Sequence, residues 1–554
     1  MGRPSGRTRY YSKAMKDRPI LKNKFYLYLT EFFAGMSLMA VELGASRLLA
    51  PYFSSSQIVW TIIIGTIMIA MALGNLYGGR SADRDPDPDK LYMRILVAAV
   101  WIAAIPLLGK YIIIAISGLL IVAIDTNFLI IAAFLACMVI FVYPLFLLGT
   151  VTPSLVKYTM DSMDDSASTV GRLGACNTVG SILGTFLPTF VTIPAVGTAV
   201  SFLLFSGILL VLAVIYFVSA KTGKKAVAIA LVLFLVSSIF GHSGSFAFWE
   251  KDLSYEGESI YNYLQVADRS DRIILSTNVL FGVQSVKMKE PGLTGMYYDY
   301  ALAAPIMAGI PEKGLAEFTG RDPGRVLVLG NGTGTYATLC AEYFETSEIE
   351  GVEIDEKISD LAYEYFDMSQ DVRLTTYDGR AYLQAVDGRY DVILVDAYQD
   401  ITIPFQMSSL EFFGLVKDHL TDNGVMVVNM NMHSDGEGSI NEALSDTIAA
   451  VFPYVYTVDV RNNTNRELFA ANFDVSQALT ENNVIRDISQ VSAMGSIVGD
   501  SLTAYDAGNN ILTDDRAPVE VLGMRAIDEL ISSELGYYKD LFKEEGIKGV
   551  LELL

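Results

Sequence analysis

Glu353, Asp378 and Asp396 each lie at the end of a short apolar run, and the loop Gly330-Asn331-Gly332-Thr333-Gly334 closes a fourth. Glycines so spaced allow a tight strand-to-helix turn. Glu353 stands 23 positions after Gly330, about where a doubly wound sheet sets the acid that accepts hydrogen bonds from ribose hydroxyls. Taken one at a time, each acid reads as a helix N-cap. Together with the glycine turn, the three acids read as a nucleoside-binding site. Thr335 occupies the third glycine position of the dinucleotide pattern GxGxxG, which favours a single nucleoside over NAD.

The elements that must position these groups form an α/β sheet. Val326 to Leu329 is a continuous apolar run of the kind found in parallel strands buried on both faces. An amphipathic segment, Tyr336 to Phe344, leads to a second strand from Ile349 to Glu353. A third strand, Val372 to Thr376, runs into Asp378-Gly379, and a fourth, Tyr390 to Val395, runs into Asp396. The carboxyl ends of such strands are where ligands bind. A helix over Ser408 to Leu420, a strand over Gly424 to Met430, a helix over Ser439 to Val451 and final strands within Phe452 to Ala471 complete a sheet of about seven. Ser259 to Val286 alternates like a small antiparallel sheet, with turns near Asp268 to Asp271 and at Asn278.

Arg325 to Asp400 resembles the spermidine synthase family of aminopropyltransferases. The likeness extends to SIYNYLQV at Ser259 to Val266, to Gln284-Ser285, to LTGMYYDYALAAP at Leu293 to Pro305 and to LTDDRAPVE at Leu512 to Glu520. These flanks resemble the membrane-fused branch of that family. The resemblance implies a Rossmann-like methyltransferase/spermidine synthase fold with a small N-terminal β region. Its cosubstrate would be decarboxylated S-adenosylmethionine or S-adenosylmethionine, its acceptor a polyamine or other cationic amine such as putrescine, and no metal would be required.

The family's residue roles carry over position by position. Gly330, Asn331, Gly332, Thr333 and Gly334 would form the nucleoside loop, Glu353 would take the ribose, and Asp378-Gly379 the adenine side. Asp396 would be the general base that removes a proton from the attacking amine. Gln284, Tyr297, Tyr298, Asp299 and Asp400 would line the amine site, with Tyr298 replacing the family's His, and four positions rather than three separating Asp396 from Asp400. Thr333 replaces the acid that holds the donor's amino group, a charge-assisted bond of about 1.5 to 3 kcal/mol. Ordinary S-adenosylmethionine, with its own carboxylate, is repelled less by Thr333 than by an acid. Methylation of a lipid or membrane-delivered acceptor is therefore the second enzyme reading, and a non-catalytic nucleoside-binding sensor or transporter subunit is the third.

At 554 residues, 52% hydrophobic, with mean hydropathy +0.37, the chain is too apolar for an ordinary soluble protein. The excess precedes residue 242. Residues 1–240 carry 19 Lys+Arg against 11 Asp+Glu, which leaves 21 against 51 for the rest. An acidic half of that size argues against nucleic acid as partner and suits a cationic substrate, although it reads equally as a solvated acidic surface. Cys137, Cys176 and Cys340 lack metal-ligand spacing, and the three histidines are scattered.

Spans of roughly 20 residues are expected at Phe25 to Leu48, Ile58 to Tyr77, Leu91 to Leu108, Phe128 to Leu148, Val170 to Ile193 and Ala199 to Val218. Ala226 to Phe240 is a shorter seventh, and Tyr111 to Ile124 an eighth span or an interfacial piece. The lipid bilayer is thus an expected partner of this polytopic α-helical domain of seven or eight spans. The basic residues 1–24 place the N-terminus in the cytoplasm. Span parity decides the side of the acidic half, and a cosubstrate made in the cytosol favours the cytosolic side. Glu31, Glu42 and Arg47 fall inside the first span, at a cost of about 2.5 to 3.5 kcal/mol each at bilayer centre. GACNTVGSILGTFLP is rich in small residues that permit close helix packing.

The expected organisation is a basic N-terminus over 1–24, a transmembrane domain over 25–241, a linker over 242–258 and a β region with a substrate-side helix over 259–310. A nucleoside-binding domain follows over 311–525. An amphipathic helix over 526–554 would dock on the membrane half or on a second copy in a homo-oligomer.

Overall fold

The computed structural model describes residues 18–54, 56–124, 127–160, 166–243, 245–279, 282–397, 403–431, 436–461, 463–483, 489–527 and 529. Asp400, most of the basic N-terminus and nearly all of the expected 526–554 helix lie outside the described residues. The chain divides into two units, Met1–Ile124 with Phe128–Phe248, and Trp249–Leu554 with Asp125–Asn127.

The first unit is helical: α1 (Lys24–Phe53), α2 (Gln57–Arg84), α3 (Pro88–Ala123), α4 (Phe128–Gly149), α5 (Val151–Thr159), α6 (Ser166–Leu187), α7 (Ile193–Ala220) and α8 (Lys224–Gly241). Among the described residues, 6 helical stretches are long and apolar enough to cross a membrane. Tyr111 to Ile124 is not a separate segment, because α3 runs on through it to Ala123 with Pro106 inside the helix. A π-helical turn, Pro188–Thr192, joins α6 to α7. The resulting stretch would reach about 80 Å as a straight helix, over twice a hydrocarbon core of ~30 Å. Its backbone breaks at Gly197 (φ 78°, ψ 169°).

The small residues of α6 are a packing device. A Cβ at Gly180 would lie 2.0 Å from the Phe32 carbonyl oxygen, and one at Gly184 would lie 2.1 Å from that of Met36. Only glycine lets α6 approach the α1 backbone so closely. Glu31 of α1 is buried, and its Oε1 accepts from Thr152 Oγ1 (2.5 Å) and Asn177 Nδ2 (2.9 Å). Polar side chains of α5 and α6 receive this in-span acid.

The second unit holds two sheets. The smaller is antiparallel, in the order β1 (Leu253–Glu258), β2 (Tyr263–Asp268), β3 (Arg272–Ser276), β4 (Ser285–Met288). β1 lies inside the stretch read from sequence as linker. It is an edge strand of mixed exposure, LSYEGE, and so lacks the apolar alternation that marks a strand.

The larger sheet comprises β5 (Gly324–Leu329), β6 (Thr346–Glu353), β7 (Val372–Thr376), β8 (Tyr390–Val395), β9 (Leu420–Met430), β10 (Tyr454–Asp459), β11 (Arg466–Ala471) and the two-residue β12 (Thr503–Ala504). Its order is β12-β10-β11-β9-β8-β5-β6-β7. β7, β6, β5, β8 and β9 run parallel, and β11 joins β9 antiparallel. Helices cover both faces, so β5 and β8 are buried on each side. Val326, Val328, Val392 and Leu394 point into one core, and Leu327, Leu329, Ile393 and Val395 into the other. The chain builds outward from β5 to β7, then returns to place β8 on the other side of β5. That reversal opens a crevice at the carboxyl ends of β5 and β8, the place where such sheets bind ligands.

Candidate functional site

The glycine loop turns off β5 directly into the helix Thr335–Tyr343. Gly330 has φ +82° and Gly334 φ +83°, values that favour glycine. The backbone N–H groups of Gly330 and Asn331 donate to the Val352 carbonyl at 2.9 and 3.0 Å, and Thr333 N–H donates to Ser285 Oγ at 3.0 Å. β4 of the small sheet thereby steadies the loop. The Oδ1 of Asn331 and the Oγ1 of Thr333 are buried with no hydrogen-bond partner among the described residues, and the Asn331 amide lies over Gly351 of β6.

Glu353 ends β6 with Oε2 accepting from Gly332 N–H (2.8 Å) and Oε1 from Asp355 N–H (3.0 Å). Burial pushes its carboxyl up to about 7, against the pull of those backbone donors. Asp378 caps the helix Gly379–Ala385 through Ala381 N–H (2.8 Å). Asp355 caps the helix Glu356–Glu364 and also accepts from Ser259 Oγ (2.5 Å) and Asn262 Nδ2 (2.9 Å), which ties the small sheet to the large one.

Asp396, half-buried at the end of β8, is held by two neutral donors. Tyr297 O–H reaches its Oδ2 and Asn429 Nδ2 its Oδ1, both at 2.8 Å. Burial raises this carboxyl to about 7, against the pull of those hydrogen bonds, and the Glu353 charge adds to the rise. Tyr297 packs on Tyr298 with ring centroids 4.0 Å apart, and Tyr298 O–H donates to the Gln284 carbonyl (2.7 Å). The backbone carbonyl of Gln284 thus meets the tyrosine pair.

Asp299 stands apart from this group. Its Oδ1 accepts from Thr294 N–H (2.9 Å) and Thr294 Oγ1 (2.8 Å), and its Oδ2 from Gly295 N–H (2.7 Å). Those bonds fix the turn before the helix Tyr297–Ala301 and so aim Tyr297 at Asp396. Asp299→Ala, which strands two backbone donors, is expected to cost about 2 to 3 kcal/mol in denaturant unfolding. Unchanged stability would mean that the turn does not depend on this carboxylate.

The structure thus brings the glycine loop, Glu353, Asp396, Tyr297 and Tyr298 to one crevice, with Asp378 and Gly379 at the neighbouring strand end. Sequence reasoning named Ser285 only within the family likeness, without a role, and missed Asn429, Asn465 and Glu467. Asn429 holds Asp396, and Asn465 Nδ2 donates to Asn429 Oδ1 (2.7 Å). The signal of Asn429 and Glu467 was present as polar residues interrupting the apolar strands VMVVNM and RELFAA.

The Spermine/spermidine synthase domain family matches residues 313–465. A probable polyamine aminopropyl transferase of Bifidobacterium longum is 52% identical over 358 residues, covering 61% of this chain and 77% of the relative. The polyamine aminopropyltransferase of Vibrio vulnificus is 29% identical over 191 residues, covering 33% and 61%. Among solved structures, a probable spermidine synthase from Corynebacterium glutamicum aligns with a TM-score of 0.35 and 20% identity, covering 47% of this chain and 99% of that one.

Proposed function

This chain belongs to the spermine/spermidine synthase family of aminopropyltransferases, and from that premise we propose that it transfers an aminopropyl group from decarboxylated S-adenosylmethionine to an amine such as putrescine. The observation that carries this reading is Asp396, held between Tyr297 and Asn429 beside the glycine loop. The amine lone pair attacks the carbon next to the sulfonium, the carbon–sulfur bond breaks, and methylthioadenosine leaves with that electron pair. Asp396 takes the proton that the amine must lose. A carboxyl raised to about 7 is a stronger base than an ordinary one and is still ionised in good part at neutral pH. Glu353 would receive the ribose hydroxyls, the glycine loop the donor's tail, and Asp378-Gly379 the adenine side. Tyr297 would orient the base, and Asp299 would act through the turn it fixes.

We further propose that the helical unit anchors the enzyme in a membrane, with the N-terminus and the catalytic unit on the cytosolic side, where the donor is made. The 6 long apolar helical stretches support the anchor and the basic N-terminus supports its cytosolic end, whereas the side given to the catalytic unit rests on the donor alone.

Thr333 favours a second reading, methyl transfer from S-adenosylmethionine, because no acid faces the donor's amino group at that position. Calorimetric titration of the full chain in detergent with the two donors, followed by product analysis with putrescine, tests both. Preference for the decarboxylated donor with spermidine formed is the expected result. Preference for the carboxylated donor with no polyamine product would transfer the assignment to methylation.

A further inference from the structure

The amide that holds Asp396 from β9 is itself held. Asn429 and Asn431 lie at the end of β9, and Asn465 immediately precedes β11. Asn429 pairs with Glu467 and Met430 with Arg466, so the same register sets Asn465 opposite Asn431. Period-two alternation puts all four side chains, Asn429, Asn431, Asn465 and Glu467, on one face. The hairpin between β10 and β11 fixes Asn465 there: Val460 N–H donates to the Asn465 carbonyl (3.0 Å), and Thr464 Oγ1 donates to the Asn431 carbonyl (3.2 Å).

The Asn429 amide is fully engaged. Its Nδ2 donates to Asp396 Oδ1 (2.8 Å) and to Asn431 Oδ1 (3.0 Å), and its Oδ1 accepts from Asn465 Nδ2 (2.7 Å). Asn429 and Asn465 are both buried. A carboxamide turned end for end fills nearly the same space, so shape alone does not choose its direction; its partners do. Turned, Asn429 would set its oxygen against the Asp396 carboxylate and against Asn431 Oδ1, and its N–H groups against those of Asn465. A donor on Asn465 therefore holds the Asn429 N–H on Asp396.

Resting on the aminopropyl-transfer reading, we propose that Asn465 is a positioning residue for the reaction, acting through Asn429 to keep a donor on Asp396 Oδ1 while Tyr297 holds Oδ2. Two bonds, one on each oxygen, fix the plane of the carboxylate and leave its other lone pairs aimed in one direction. Without Asn465, the buried Asn429 oxygen loses its donor and the amide is free to turn away from Asp396. Among the described residues, the titratable groups in electrostatic reach of Asp396 are Tyr297, Tyr298, Glu353 and Glu467. None of them is altered by a change at Asn465, so a shift in the Asp396 titration reports the amide.

The test reads the Asp396 carboxyl by infrared difference titration of the full chain in detergent, with D396N to assign its band. Beside it runs the pH profile of kcat/KM with decarboxylated S-adenosylmethionine and putrescine. Asn465→Leu removes the donor at similar volume, and Asn465→Asp replaces it with a group that only accepts. Each is expected to raise the midpoint above its parent value of about 7 by roughly one pH unit or more, within what a hydrogen bond to a charged group supplies. The rate should fall roughly tenfold at about pH 7 and recover at about pH 9. Asn429→Leu raises the midpoint by itself, and adding N465L to it should move the midpoint no further. An unmoved midpoint in either Asn465 variant, a shift that adds in full to that of N429L, or a rate lowered evenly across pH, as loss of a merely structural contact would give, overturns the proposal. A parent that makes no spermidine sinks the transfer reading instead, and the infrared midpoints still decide whether Asn465 acts on Asp396.

Discussion

Asp396→Asn is expected to lower turnover about a thousandfold, within the range a positioned general base supplies, while nucleoside affinity stays within about twofold. The substitution preserves the shape of the site. The Asn oxygen can accept from Asn429, and the Tyr297 hydroxyl, which both donates and accepts, can turn to receive the new N–H. What is lost is the capacity to take a proton from the amine. The nucleoside is held by other groups, so its binding should not follow turnover down. Turnover equal to the parent's would remove Asp396 as the base. Parallel loss of nucleoside binding would mean that the carboxylate serves the donor pocket instead.

The same carboxyl gives rate and stability opposite dependences on pH. The base works when ionised, so kcat/KM should climb through about pH 7 and level off above it. Stability runs the other way. Asp396 and Glu353 are both raised to about 7 in the fold, from ordinary values near 4, so between those limits the folded chain binds more protons than the unfolded one. Their contribution therefore falls as pH rises from about 4 to about 7, then stays flat. In D396N the midpoint of denaturant unfolding should vary less over that window. An equal slope in both proteins would contradict the assignment of the raised carboxyl to Asp396.

The half of this site that was legible in the sequence lies at strand ends. Val326 to Leu329 and Tyr390 to Val395 announce buried parallel strands by uninterrupted apolar character, so Gly330 and Asp396 could be placed from order alone. Asp299 was not separable from the tyrosines beside it, because a turn-fixing carboxylate and a ligand-facing one have the same neighbours in sequence. Glu467 was hidden for another reason. Its meaning depends on the register of β11 against β9, and a shift by one residue would turn it to the opposite core. In the helical unit, apolar periodicity located the helices yet could not tell that Pro106 leaves α3 continuous, because a proline is tolerated where neighbouring helices compensate the lost hydrogen bond.

Gly330→Ala should abolish nucleoside binding, by more than a hundredfold, and lower the melting temperature. Gly334→Ala should do much less, although the two glycines have nearly the same φ, +82° and +83°. An L-residue forced into that region costs about 1 to 2 kcal/mol at either position, so the conformational penalty cancels in the comparison. The obstacle differs. A Cβ at Gly330 meets backbone, the Asp396 carbonyl oxygen at 2.5 Å and Ala397 at 2.6 Å, whereas one at Gly334 meets the Met368 side chain at 2.5 Å. An unbranched thioether can swing away, but the end of β8 cannot. Relief at Gly330 must therefore open the crevice between β5 and β8 and displace Asp396 with it. Thermal melts and nucleoside titration of the two variants, side by side, separate strain from overlap. Equal losses in both would assign the effect to backbone conformation alone, and full nucleoside affinity in G330A would move the nucleoside seat away from this loop.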